Sequence, residues 1–419
     1  MIRFYGGRVL RGSAPFSITA DEVWTGGTRI AYVGRARPDM PAFEREIDLK
    51  GDLLMPGFKD AHTHTAMTFL RSYADDLPLQ QWLFERVFPL EERLTPEHIY
   101  VFTKLGILEY LTSGITACYD GYYFNDSYAR ACIDSGFRTV ICGAIAKYDK
   151  NPEKMEGEFV RLNRLDPLVS FRLGIHAEYT ADEHVIRYTR SLSEKYGASV
   201  SAHSSETADE VRGCIERHGL TPTRFFEESG LLEHGGSFFH CTYMTDEDLA
   251  VFKKRGLWAV TNPGSNLKLA SGIAPIVRMQ QAGLNLAIGT DGAASNNALD
   301  MFREMFLVTG LAKLRERDAS CMPGDATACP AENVVQMAVS GGALAMGLDD
   351  CTAIEPGMQA DMIVIDLNRP SMRPIHNIVK NLVYAGGKDC VRMTMVAGRI
   401  LYENGAFFTG DDLPRLYEQ

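Results

Sequence analysis

The run Met55-Pro56-Gly57-Phe58-Lys59-Asp60-Ala61-His62-Thr63-His64 decides how the rest of this 419-residue chain is read. Its two histidines stand at i and i+2. In an extended strand, residues two apart point to one face, so both imidazoles can aim at a single metal ion. On a helix the same pair would diverge. Pro56-Gly57 breaks the chain just before it, and the apolar Leu53-Leu54-Met55 precedes that. Taken alone, the pair also suits two polar residues on a turn. The test is whether other stretches supply matching ligands.

Downstream, apolar and β-rich runs recur before polar residues, at 115–120, 139–143, 171–176, 199–203, 238–240, 257–262 and 284–291. With the segment carrying His62 they make eight. Helix-patterned stretches such as 97–112 and 181–196 lie between them. Eight strand–helix units over about 250–300 residues predict an α/β fold, a (β/α)8 barrel of the TIM type. A doubly wound open sheet would favour a glycine-rich phosphate loop after the first strand; here that strand leads to histidines.

Residues 1–56 read as short strands, including Ile2-Arg3-Phe4 and Ile30-Ala31-Tyr32-Val33, separated by Gly-rich turns. The tail offers a buried-strand run at 361–366 and a second at 391–397 that turns through Gly398 into Ile400-Leu401-Tyr402. The expected division is a small β-sandwich built from both ends, residues 1–56 and 346–419, with a metal-dependent catalytic barrel at 57–345 inserted between them. Residues 314–332, with Pro323, Gly324 and Pro330, read as a surface loop between helices.

An apolar content of 45% and a charged content of 23% are ordinary for a globular chain. The net charge of −11 argues against a nucleic-acid partner, which needs a basic face. No window reaches the roughly 18 uncharged apolar residues of a membrane helix. The N-terminus lacks the basic start and long apolar core of a signal peptide. The nine cysteines are odd in number and scattered, without a Cys-x-x-Cys, which predicts reduced thiols and a cytoplasmic setting.

Functional residues of a barrel gather at the carboxyl ends of its strands. His62 and His64 end the first strand, His176 the fourth, His203 the fifth, His240 the sixth and Asp291 the eighth. Five of the ten histidines therefore fall on one face of the inferred barrel. The others, His98, His184, His218, His234 and His376, lie in helix or loop patterns and read as surface or packing residues. Nitrogen and oxygen donors without thiolates suit Zn²⁺, and Fe²⁺ or Mn²⁺ would also be accepted. His62, His64, His203 and Asp291 give three imidazoles and a carboxylate around one ion, which would lower the pKa of water toward neutrality. Asp291 can also take the water's proton. Glu206, three residues after His203, can shuttle a proton to a leaving group, or can be a helix N-terminal Glu in a capping box with Ser204 or Ser205. His240 can hold the attacking water or stabilise developing charge.

These residues resemble the amidohydrolase superfamily over nearly the whole chain. The resemblance rests on Pro56-Gly57-Phe58 leading to His62-Thr63-His64, on the His203 segment, on Phe239-His240-Cys241, on the run Asn262-Pro263-Gly264-Ser265-Asn266-Leu267-Lys268-Leu269, and on Gly289-Thr290-Asp291-Gly292-Ala293-Ala294-Ser295-Asn296-Asn297. Together they are similar to the branch of S-adenosylhomocysteine/5′-methylthioadenosine deaminases and their chlorohydrolase relatives. The resemblance implies one Zn²⁺ per subunit on His62, His64, His203 and Asp291, with His240 orienting the water. Glu206 would protonate a purine ring nitrogen and help expel ammonia. Glu91, after the Trp82 segment, would accept the ribose hydroxyls, and His176 would be a second nucleoside contact. The implied reaction converts an adenine nucleoside to its inosine product plus ammonia. The alternatives are a deaminase or chlorohydrolase for another N-heterocycle (guanine-like, pterin or triazine) and a cyclic amidase. The last usually needs a bridging carboxylated lysine where this chain has His176. A small-molecule substrate and a homo-oligomer fit the same resemblance. Two departures stand out. Glu178 follows Ala177 where such deaminases usually have Pro or Ile, and it lies either near the pocket or in a structural ion pair. Lys154 occupies a region where relatives place an arginine toward the substrate tail, and a lysine lacks the bidentate fork.

Overall fold

The computed structural model describes residues 1–419 apart from 79–80, 150, 321–323 and 419. Its centre is a set of eight parallel strands in sequential order: Phe58–Thr63, Ile115–Asp120, Arg138–Cys142, Val169–Ala177, Val200–Ser204, Ser237–His240, Trp258–Thr261 and Asn285–Ile288. Each coincides with one of the eight runs read from the sequence. Most positions along them are buried, as parallel strands covered on both faces must be. The last strand returns to the first: the Asp291 N–H donates to the His62 carbonyl at 2.9 Å, and the Thr290 N–H to the Asp60 carboxylate at 2.8 Å. Gly289 makes this closure feasible. A Cβ there would lie 2.6 Å from the His62 carbonyl oxygen, so only glycine lets the two strand ends pass so closely. The eight strands form a (β/α)8 barrel of the TIM type.

Helices return the chain between strands. Asp182 caps the helix Glu183–Tyr196 by accepting the Val185 N–H at 2.9 Å, and Gly197 ends it with φ +59°. This is the acceptor-first, glycine-last grammar of helix ends. The helix Met301–Ser320 runs into the stretch expected to be a loop. Residues 314–320 are helical because Leu314-Arg315-Glu316-Arg317 continue a good helix-forming run, and the prolines that suggested a loop come only afterwards. Pro323 lies outside the described residues.

Two further sheets come from the chain ends. One has four strands, Arg29–Gly34, Glu22–Gly26, Ile2–Tyr5 and Arg45–Asp48. The other has seven and mixes both ends: the C-terminal strand Met362–Ile365 pairs antiparallel with the N-terminal Leu53–Pro56. Strand alternation gives this mixed sheet two apolar faces. Leu54, Met362, Val364, Met393 and Met395 pack with Phe4, Val23 and Ile30 of the four-stranded sheet. Leu53, Met55, Ile363 and Ile365 face the barrel's core. Gly57 is the joint between mixed sheet and first barrel strand. Its N–H donates to the Asp361 carbonyl at 3.0 Å, and a Cβ on it would come within 2.2 Å of the Thr116 side chain. Among the described residues no helix is long and apolar enough to cross a membrane.

Candidate active site

Strand direction carries the predicted residues to one end of the barrel, and the side chains converge there. Ligand atoms of His62, His203, His240 and Asp291 lie within 4.8 Å of one another, all buried. His64 Nε2 stands 3.6 Å from Asp291 Oδ1, and the His64 ring is 4.9 Å from that of His62. The expected ligand set held His64 and left His240 outside; the structure groups all five. His240 Nε2 lies 3.8 Å from Asp291 Oδ1 and also 3.8 Å from Glu206 Oε2, so it faces both carboxylates.

The outer nitrogens fix how the imidazoles are protonated. Nδ1 of His64 meets the Gly121 carbonyl at 2.6 Å, Nδ1 of His203 the His176 carbonyl at 2.7 Å, and Nδ1 of His240 the Asn266 Oδ1 at 2.9 Å. Asn266 is oriented by donating its amide to Thr242 at 2.5 Å. Carbonyl oxygens only accept, so each Nδ1 is the donor and Nε2 is the nitrogen turned toward the cluster. Such outer partners orient histidine ligands of metals. Burial lowers the pKa of His62 to about 3, against the pull of Asp291. Burial and neighbouring imidazoles hold His203 well below its ordinary value. Burial would raise Asp291, but His240 and His62 beside it bring it well below the usual carboxylate range. The result is neutral His62 and His203 beside an ionised Asp291, while burial would lower the pKa of His240 but Glu206 and Asp291 raise it.

That arrangement fits a divalent cation. His62 Nε2 is buried without a hydrogen-bond partner, although Asp291 Oδ1 is only 2.9 Å away. A lone pair pointed at a carboxylate oxygen is costly unless a positive charge lies between them. The other oxygen, Oδ2, is occupied: Ser265 Oγ and Ser295 Oγ donate to it at 2.6 and 2.7 Å. Two ring residues also hold positive φ, His240 at +74° and Asp291 at +65°. Non-glycine residues there cost on the order of 1–3 kcal/mol each and cluster at functional sites.

A cavity opens above the cluster. It is lined by His64, His203, His240 and Asp291, and by Glu206, His176, Trp82, Glu91 and Lys154; every residue expected to touch substrate borders it. Glu206 does not cap the next helix. Thr207 does, accepting the Glu210 N–H at 3.1 Å. Ser271 Oγ donates to Glu206 Oε1 at 3.0 Å, and burial, with Asp291 near, raises the pKa of Glu206 despite His240. Glu91 accepts the Tyr122 O–H at 2.6 Å, and burial raises its pKa in spite of that bond. His176 Nδ1 sits 2.9 Å from Thr180 Oγ1, and burial lowers its pKa to about 4. Glu178 resolves to an ion pair: it is buried, bound by Arg217 at 2.6 and 3.1 Å and by His218 at 2.8 Å.

The residues that sequence reasoning missed are mostly orienting groups. Ser295 follows Asp291 by four residues in one quoted motif, whereas Ser265 and Asn266 lie in the other, just past the end of the seventh strand, so the strand-end rule was the available signal for them. Tyr122 stands two residues beyond the second strand's end. The strand-end rule points there, but a tyrosine at a strand end carries no metal-ligand or acid–base signature of its own.

The amidohydrolase family matches residues 53–401 of the chain. A 5-methylthioadenosine/S-adenosylhomocysteine deaminase of Pelotomaculum thermopropionicum is 36% identical over 410 residues, covering 96% of this chain and 93% of that protein. A 5′-deoxyadenosine deaminase of Methanopyrus kandleri is 36% identical over 378 residues, covering 88% and 86%. Among solved structures, an adenosine deaminase from Xanthomonas campestris with bound zinc superposes with a TM-score of 0.93 at 32% identity, covering 100% of this chain and 96% of that one.

Proposed function

The chain belongs to the amidohydrolase family, and on that footing we propose that it is a zinc-dependent deaminase of 5′-modified adenosines, such as 5′-methylthioadenosine, 5′-deoxyadenosine or S-adenosylhomocysteine. The observation that carries the reading is the shared cavity: Glu206 beside the five-residue donor cluster, and Glu91 and His176 in the same wall. The relatives' activities support the substrate class.

His62, His64, His203 and Asp291 would hold the ion, which supplies a lowered pKa for water and polarises the attacking oxygen. His240 is the fifth donor. It faces Glu206 as well as Asp291, which suits holding the water rather than the metal. Water oxygen bonds to C6 of the purine, and the C6–N bond to the amino group breaks. Asp291 accepts a proton from the water. Glu206, held protonated more readily by burial, gives its proton to the adjacent ring nitrogen; the water's second proton passes through the emptied Glu206 to the departing amino group, and the proton on Asp291 then restores Glu206. The product is the inosine analogue. Glu91 accepts two vicinal ribose hydroxyls, for which a carboxylate offers enough lone pairs. The eight described cysteines, all buried and unpaired, suit a reducing, cytoplasmic setting.

The test incubates zinc-loaded protein with 5′-methylthioadenosine, 5′-deoxyadenosine, S-adenosylhomocysteine and adenosine, and follows the purine absorbance as the amino group is lost. Turnover that disappears in Glu206→Gln is expected; no turnover on any of the four sinks the reading.

A further inference from the structure

Glu210 is a buried carboxylate that the reaction above does not use, and its hydrogen bonds are unusual for its place. It is the third residue of the helix Ala208–His218, whose cap is Thr207. A glutamate at that position commonly reaches back to the N–H of the cap residue itself. Glu210 reaches further. Its Oε1 accepts the Ser205 N–H at 2.8 Å, and its Oε2 the Glu206 N–H at 2.7 Å. The helix start does not require this, because Thr207 already accepts the Glu210 N–H at 3.1 Å. The side chain is spent on the turn between strand and helix.

That turn is constrained from both sides. Ser205 has φ +54°, a conformation that L-residues adopt rarely. Its carbonyl accepts the N–H groups of Thr242 at 2.9 Å and Tyr243 at 3.0 Å, just beyond His240. The carbonyl side of the turn is thus fastened to the next strand's end, and the N–H side to Glu210. Between the two fastenings the Glu206 side chain leaves toward the cavity, meeting Ser271 at 3.0 Å and facing His240. A carboxylate can satisfy two neighbouring N–H donors because both of its ends accept. A carboxamide has one accepting end and one donating end, so one N–H would face another donor.

We propose that Glu210 is a positioning residue for Glu206: its carboxylate clamps the backbone N–H groups of Ser205 and Glu206, and so fixes where the proton-transferring carboxylate stands. The inference rests on the proposed role of Glu206, but the clamp itself can be read without substrate.

The experiment compares full-length, zinc-loaded wild type with Glu210→Gln and Glu210→Asp; aspartate keeps the charge but is too short to span both donors. Amide hydrogen exchange in peptides covering 203–209 is the first readout. Exchange at Ser205 and Glu206 should rise by about tenfold or more in either variant while the other barrel strands keep their protection; unchanged exchange overturns the clamp. The second readout is kcat per folded, metal-loaded chain on two substrates. With 5′-methylthioadenosine, kcat should fall by about tenfold or more with KM within about twofold. With 6-chloropurine riboside, chloride leaves as an anion and needs no proton, but the ring nitrogen still takes one from Glu206, so only the leaving-group share of the loss, about threefold, should be spared. No loss on either substrate, or a larger loss on the chloro substrate, overturns the positioning role. Should Glu210→Gln fail to fold, Glu210→Asp carries the same two readouts. A wild type inactive on every amino nucleoside would defeat the deaminase reading, and the exchange result would still decide the clamp.

Discussion

At the floor of the barrel, Arg138 and Asp361 lie buried and paired at 2.7 Å, and the Ala397 N–H adds a further bond to Asp361 at 2.7 Å. Beside them Lys59, wholly buried, donates to the Gly57 carbonyl and to Thr116 Oγ1, each at 2.8 Å. At the mouth, burial is as complete, but the polar atoms are of one kind. Nε2 lone pairs and Asp291 Oδ1 face a common point, and His62 Nε2 has no hydrogen-bond partner there. The floor satisfies its charges with protein groups and joins barrel to mixed sheet. The mouth collects acceptors without donors, which is stable only with a cation among them. Both ends are built from the same eight strands. What separates them is whether the buried groups complement one another or all need the same missing partner.

The sharpest way to break that contrast is Asp291→Asn. The amide can donate to His62 Nε2 and so supply the hydrogen the cluster lacks. Metal content should fall, and kcat should drop by about a thousandfold or more, as for other residues that act as a unit with a catalytic centre. The metal-free variant should nevertheless melt at least as high as metal-free wild type. Metal analysis, steady-state kinetics and a thermal scan after chelation check the three parts. A variant that keeps full metal and activity removes the basis for the site.

The same kind of substitution at the floor should do the reverse. Asp361→Ala leaves the Arg138 guanidinium buried and unpaired, a loss of about 3–5 kcal/mol of stability. The folded fraction should keep kcat within about twofold, since Asp361 lies at the opposite end of the strands from the donor cluster. Denaturant unfolding and kinetics on the native protein test this; a large fall in kcat with little loss of stability would erase the distinction between the ends.

This contrast explains which parts were legible in sequence. The eight strands were, because each is an apolar β-rich run cut off by a polar residue, and a parallel strand buried on both faces leaves that trace. His62, His64, His203, His240 and Asp291 were, because strand direction alone sends them to one end. Strand direction alone does not say which imidazole stands apart; that rests on the resemblance, and in the structure His64 has Gly121 behind it while His240 has Asn266 behind it and Glu206 in front. The Arg138–Asp361 pair was invisible for a similar reason. Its members are 223 residues apart, and nothing local in either segment marks the other. Glu178 shows the limit from another side. Its pairing with Arg217 and His218 depends on a turn after the fourth strand meeting the end of a helix after the fifth, which no spacing rule announces. The helical residues 314–320 were obscured by prolines that act only further along.

In the cavity wall the contrast narrows to Glu91, a carboxylate whose partners are neutral phenols, Tyr122 at 2.6 Å and Tyr123 beside it. Glu91→Gln keeps the shape but replaces one accepting end with a donor. It should raise KM for ribosides by about tenfold to a hundredfold, the worth of one or two charge-assisted bonds. The free base, which has no ribose to bind, should be affected far less. Equal effects on riboside and free base would take Glu91 away from the sugar.

Tyr122→Phe is the gentlest perturbation. The phenol donates to Glu91 Oε1 at 2.6 Å, and the ring lies 6.1 Å from that of His64. Removing the hydroxyl deletes one hydrogen bond, but Tyr123 still lies against Glu91, and the carboxylate faces an open cavity where water can replace the lost donor. The cost should therefore be about 0.5–1.5 kcal/mol, or roughly twofold to twelvefold in KM for the riboside, with kcat little changed. Because Tyr122 follows Gly121, whose carbonyl orients His64, the rival expectation is a shift of the backbone that disturbs the donor cluster. The two separate cleanly in metal affinity. A hydroxyl that only holds Glu91 leaves metal binding unchanged, whereas a weakened metal site would mean that the second strand's end tunes the cluster as well as the sugar contact.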